Sequence, residues 1–185
     1  MKQIKKIAAL AFVALTAACP SWALTEKTEL NAATTISTAD DDDVLQFTST
    51  ATGLSFVVPA NIKEKQDDVE AIVLVTPDNM FTVTAVPFDI STVEDGNMEA
   101  SILTLAKAAK IDLTESESIE GETETVHFYA ESADYANGGG AAVGIANVKG
   151  TDLSFFITVV ASKDYIPFAI AALKSLSFNP DAIED

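Results

Sequence analysis

Apolar and polar positions change period four times along the chain, and each change marks a class of element. From Val44, Leu45 and Phe47 alternate with polar neighbours, and Thr52-Gly53 reads as a turn. Leu54, Phe56 and Val58 alternate again until Pro59 stops the strand, and Ala60 to Val69 is polar and charged, a loop. Ala71 to Val75 is a continuous branched run, as expected of a strand covered on both faces. Pro77-Asp78-Asn79 supplies turn chemistry, since proline presets φ and Asp and Asn tolerate turn geometry. Phe81, Val83 and Ala85 then alternate with Thr82 and Thr84 as the second arm of a hairpin, which Pro87 ends or marks as an edge.

The period next becomes helical. Met98, Ile102, Leu105, Ala106 and Ala109 share one face, with Lys107 and Lys110 turned away. Asp95 or Asn97 is placed to cap this helix, and Glu99 lies in its first turn. Asp112 to Glu124 is acidic and nearly free of apolar residues, which predicts a solvated loop or an exposed strand entry guarded by charge. Val126, Phe128 and Ala130 alternate with His127, Tyr129 and Glu131 as a half-buried strand. Asn137 to Gly140 is a flexible connection, and Gly144 within the following strand marks a close approach or a bulge.

The organising stretch is Leu153 to Phe178. Leu153, Phe155, Ile157 and Val159 point to one face, and Phe156, Thr158 and Val160 to the other, so this is a central strand. Ser162 or Asp164 is placed to cap the last helix, whose first turn tolerates Pro167. Ile166, Ala169, Ala172, Leu173 and Leu176 form its inward stripe, with Lys174 and Ser175 facing out. Strands joined by hairpin turns, then a helix, then strands and a helix, predict an α+β fold: an antiparallel β-sheet flanked by two helices.

Ahead of this domain, residues 1–23 read as a signal peptide. Lys2, Lys5 and Lys6 precede an uncharged apolar run, Ile7 to Ala18, and Ser21-Trp22-Ala23 offers small residues to a signal peptidase. The run is well short of the ~20 residues needed to span a bilayer. Leu15-Thr16-Ala17-Ala18-Cys19 also resembles a bacterial lipoprotein signal, in which Cys19 is lipidated. Thr16 stands where leucine is usual, so a soluble periplasmic or secreted chain and a lipid-anchored one both stay open. Residues 24–43, ending in Asp40-Asp41-Asp42-Asp43, have the composition of a disordered acidic linker. The domain is expected over 44–180, with 181–185 as a tail.

Charge and chemistry narrow the function classes. The chain has 28 acidic residues, 11 lysines and a net charge of −17, with no arginine. Such a surface repels polyanions and offers no guanidinium fork, so nucleic acid is excluded as a partner. Cys19 is the single cysteine, which removes disulfides and thiolate chemistry from the domain. His127 is the one histidine, on the polar face of its strand, and no nucleophile elbow accompanies it. Carboxylate pairs such as Asp67-Asp68 or Glu120 with Glu122 arise from abundance and lie in polar segments. The Asp40–Asp43 run lacks the spaced ligands and turn glycine of a calcium loop. No catalytic, cofactor-binding or metal-binding residues are therefore assigned.

Two short stretches carry a family resemblance. Gly53-Leu54-Ser55-Phe56-Val57-Val58-Pro59 is similar to the opening of PsbP-like and DcrB-like domains, and Ala172-Leu173-Lys174-Ser175-Leu176-Ser177-Phe178 to their closing helix. The resemblance implies an exported or lipid-anchored antiparallel sandwich that acts as an accessory binding protein without turnover. The export signal, the tether and the missing catalytic set predict a protein partner in the cell envelope, and the negative net charge favours a basic surface on it. Binding of a small apolar ligand between sheet and helix, beside Ala106, Ala109, Ala169 and Ala172, or of cations by the acidic segments, are the alternatives. Intact mass of the mature protein decides the anchor: a chain beginning at Leu24 excludes the lipid on Cys19.

Overall fold

The protein is described from a computed structural model over residues 43–92, 98–108, 110–113, 116–135 and 138–184. Ten strands and two α-helices follow in the order β1 (Val44–Thr48), β2 (Leu54–Pro59), β3 (Lys63–Asp67), β4 (Ile72–Val75), β5 (Phe81–Asp89), α1 (Met98–Ala108), β6 (Glu117–Glu122), β7 (Val126–Asp134), β8 (Gly140–Val148), β9 (Leu153–Ala161), α2 (Ile166–Lys174) and β10 (Ser177–Phe178). Seven strands form one sheet in the order β3-β4-β5-β9-β8-β7-β6, and three form a second, β1-β2-β10. Every pairing is antiparallel. The fold is an α+β sandwich.

β9 is the middle strand of the large sheet, because both of its faces are apolar and each needs a cover. On one face Phe155, Ile157 and Val159 join Leu54, Phe56 and Val58 of β2 and Ala172 and Leu173 of α2 in a single core. On the other face Phe156 and Val160 join Ile102, Leu105 and Ala106 of α1. Phe156 stacks on Phe88 there at 3.9 Å between ring centroids and 11° between planes. The result is three layers: the small sheet with α2, the large sheet, and α1.

Local chemistry explains the connections. Gly53 has φ of 75°, and a side chain there would meet the Asn179 carbonyl at 2.7 Å. Asn79 closes the β4–β5 hairpin with φ of 58°, and Asp78 Oδ1 accepts from the Thr76 hydroxyl and the Met80 amide at 2.5 and 3.1 Å. α1 ends with Lys110 in the left-handed region and the Ile111 amide donating back to the Ala106 carbonyl at 2.8 Å. Its expected caps, Asp95 and Asn97, and its inward Ala109 lie outside the described residues. Pro87 sits beyond Ala85, the last β5 residue that β4 reaches, where β9 is its sole strand neighbour.

Several expectations are corrected. The segment within Ala60 to Val69 is no plain loop: Lys63–Asp67 forms edge strand β3, held by backbone pairing to β4 rather than by side-chain burial. The antiparallel strands divide between two sheets, with β2 pairing with β1 and β10 in a separate layer. Ser175 does not face out. Its hydroxyl accepts from the Val57 amide at 2.8 Å and donates to the Ala172 carbonyl at 3.2 Å. At the end of the described chain the Glu184 amide donates to the Thr50 carbonyl at 2.9 Å. The caps at α2 differ as well: the helix is entered through a short 3-10 turn, Lys163–Tyr165, and neither Ser162 nor Tyr165 makes a side-chain cap bond.

Gly144 is a close approach without a register break. A Cβ there would stand 2.6 Å from the Ala130 Cβ and 2.7 Å from the Tyr129 carbonyl oxygen, a contact that moves backbone. Gly144→Ala is therefore expected to cost about 1–3 kcal/mol of stability, read as a lower midpoint in urea unfolding. An unchanged midpoint refutes the close approach.

Candidate functional site

The nine residues of α2, IPFAIAALK, contain a single charged residue, Lys174. From Ile166 to Ala171 each residue is half-buried, so the helix leaves part of its apolar surface at the molecular surface. A surface helix ordinarily carries polar residues on its outer side. Beside α2 lies a cleft of about 240 Å³. Its walls are Ile119 of β6, Ala142 of β8, Val159 of β9, and Ile166, Ala169, Ile170 and Leu173 of α2. Small residues make the room: Ala142 and Ala169 stand where longer side chains would fill the gap. Glu117, Ser132 and Asp134 supply the polar lip. Tyr165 and Phe168 of the same helical segment border a second, open groove with Asp43, Asp78 and Asp164.

Edge strand β6 adjoins the cleft. Strand alternation sends Glu117 and Ile119 toward it, and Ser118, Glu120 and Glu122 to the opposite face of the sheet. Gly121 keeps the strand close to β7, with the Phe128 ring occupying the space that a Cβ would take.

On that opposite face sits a carboxylate that the sequence places on the polar face of β7 and the structure buries. Glu131 of β7 is 7% exposed. It accepts from the Tyr129 hydroxyl, from Ser116 Oγ at 2.7 Å and from Ser118 Oγ at 2.8 Å. Burial pushes its pKa up, but the three hydroxyl donors outweigh burial and hold it below the usual glutamate value. Tyr129 is shifted the other way, chiefly because its proton is held by Glu131. Alternation alone located Tyr129 and Glu131 on the polar face; the β6–β7 register, which sets Ser118 opposite Glu131, was the missing piece.

The residues singled out from sequence fall apart in space or are used structurally. His127 Nε2 lies 3.1 Å from Glu120 Oε1 and is exposed. Glu122 pairs with Lys149 instead of Glu120, and that lysine keeps its carboxyl below the ordinary range. Asp67 accepts from Ser49 Oγ at 2.5 Å, while Asp68 caps the Glu70 and Ala71 amides at 2.8 and 3.0 Å. Asp68 is held below the usual aspartate value: burial raises it, and those amides with Gln66 lower it more. Ala106 and Ala172 are packed in the two cores, whereas Ala169 lines the cleft. Among the described residues no three His, Cys, Asp or Glu side chains gather as a metal site. Cys19 and Asp40 to Asp42 lie outside the described residues, as do the expected leader and nearly all of the linker.

The Glu131 cluster has a pH signature. A carboxyl with a lowered folded pKa stabilises the fold above its unfolded pKa of about 4.3 and loses that contribution as pH falls through the folded value. Tyr129→Phe removes one donor and is expected to cost ~1–2 kcal/mol at neutral pH. It also moves the acid loss of stability to higher pH, which carboxyl NMR titration of Glu131 reads directly. A Glu131 titration unchanged in the variant contradicts the cluster.

No protein-family model and no curated protein matches the chain. Solved structures do. A Bacteroides thetaiotaomicron protein is 12% identical with a TM-score of 0.43 over 76% of this chain, which spans 50% of that protein's length. The Ran-binding protein Mog1p of Saccharomyces cerevisiae is 9% identical with a TM-score of 0.46, over 78% of this chain and 100% of that one. Cyanobacterial PsbP (CyanoP) of Synechocystis, from the family that the sequence resembles at Gly53–Pro59 and Ala172–Phe178, is 10% identical with a TM-score of 0.47, over 80% and 99%.

Proposed function

We propose that this protein is a non-catalytic accessory protein of the bacterial cell envelope that binds a protein partner. The cleft beside α2 carries the reading: an apolar recess of about 240 Å³ opens between a half-exposed apolar helix and a polar lip. Protein interfaces concentrate their energy in such places, where an aromatic or alkyl anchor fills a recess and a polar rim excludes water. Export rests on residues 1–23, through the basic start, the apolar run and the small residues before Leu24. Delivery is periplasmic or secreted, or anchored by a lipid on Cys19. The net charge of −17 favours a basic partner through steering and complementarity.

The same cleft favours a second reading, in which a small apolar ligand occupies it. Apolar cavities of about 150 Å³ accept a benzene-sized molecule, so the volume is sufficient. Native mass spectrometry of the purified protein separates the readings, since a retained small molecule adds a defined mass.

Ile170 lines the cleft and is half-buried, so Ile170→Asp places a charge in the recess while leaving both cores untouched. Crosslinking in the intact envelope followed by capture is expected to recover a specific partner with the wild type and to lose it with Ile170→Asp. Unchanged circular dichroism confirms that the variant folds. Equal recovery with both proteins overturns the role of the cleft.

A further inference from the structure

The large sheet ends in two edge strands of opposite character. β3 breaks register between Glu64 and Gln66 and carries Lys63 and Lys65. Such a bulge twists an edge away from further pairing. β6 pairs with β7 in unbroken register from Glu117 to Glu122. Among the described residues no backbone hydrogen bond is made to its outer edge. A regular strand with open N–H and C=O groups is a template for another strand, and its side chains decide which one is admitted.

We infer that the partner docks by adding a basic strand to the outer edge of β6. This rests on the protein-binding reading of the α2 cleft. The selection is electrostatic on one face and apolar on the other. A second copy of β6 would set glutamates against glutamates, which disfavours self-pairing. Residues of an added strand on the cleft side lie next to Ile119, within reach of the recess, and are best apolar. Those on the other side lie next to Glu120 and Glu122 and are best lysine or arginine. His127 and Lys149 already bond these two carboxylates from the β7 and β8 side. An ionised carboxylate has about four lone-pair sites, so acceptor capacity is left for an incoming cation. Glu117, on the cleft side, adds a third negative charge at the strand's start. The occupant is thus an extended segment alternating basic and apolar residues, over the length of β6.

The test uses the purified protein with a short synthetic peptide that alternates lysine and valine. A second peptide of the same sequence carries N-methyl groups on every backbone amide, keeping charge and side chains but unable to donate a backbone hydrogen bond along either edge. The unmodified peptide is expected to bind, and about tenfold more weakly at high salt. Glu120→Lys with Glu122→Lys is expected to weaken it about tenfold. Hydrogen exchange should slow at β6 amides in the complex, and the methylated peptide should not bind. Equal binding of the methylated peptide, slowed exchange at β3 instead of β6, or no binding at concentrations on the order of millimolar each overturns strand addition. If Ile170→Asp still abolishes envelope partner capture after such a result, the cleft reading stands and only the docking mode falls; if capture also survives Ile170→Asp, both fall.

Discussion

A strand that is apolar on both faces cannot end a sandwich; it must lie inside one. β9 imposes this constraint on the chain. Phe155, Ile157, Val159 and Ala161 face one core, and Phe156 and Val160 the other. Burial of each large apolar side chain contributes roughly 1.5–3 kcal/mol, so neither face of β9 tolerates water. One helix serves one face, and a helix with a three-stranded ribbon serves the other. Because β5 and β8 flank β9, their faces inherit the same two covers, and the sheet thins in apolar content only toward β3 and β6.

The two short stretches that carry the family resemblance are one object in space. β10 pairs Ser177 with Ser55 and Phe178 with Leu54. Ser175 caps the Val57 amide, and the Asn179 amide donates to the Gly53 carbonyl at 2.9 Å. Thr123 and Thr125, before β7, hold the Leu176 carbonyl and the Phe178 amide at 2.8 Å each. The closing segment therefore joins the small sheet to the large one. In this chain Gly53, the small hydroxyls and Phe178 each answer a steric or hydrogen-bonding demand of one clasp. It is a requirement of architecture, and it involves neither the cleft nor the β6 edge.

Legibility in the sequence followed the source of each element's stability. β2, β4, β5, β7, β9 and both helices are held by burial of apolar side chains, and their apolar patterns are visible in the sequence. β3, reading KEKQD, is held by backbone bonds to a neighbour, and backbone bonds have no side-chain signature. Ser175 looked outward on the helical wheel because helical periodicity knows nothing of β2 across the gap. Glu131 is the same case in a sheet, since its serine donors come from a strand whose register no single-strand pattern specifies. The cleft could be anticipated only in part. The small residues Ala169 and Ala172 were evident, but one packs and the other opens a recess, and position relative to β6 and β8 decides which.

The acidic excess has a spatial order that composition hides. Asp68 and Asp78 are spent on turn amides. Glu131 is consumed by hydroxyls inside the sheet face. Edge strand β6 carries Glu117, Glu120 and Glu122, and Glu117 also belongs to the lip of the cleft. Charge on an edge strand ordinarily serves to keep a protein from pairing with itself. Repulsion between like charges is also, by the same Coulomb law, selectivity for the opposite sign. An edge that excludes its own copy by carrying glutamates is by construction most permissive to a basic strand, and the apolar recess beside it gives such a strand a reason to stay.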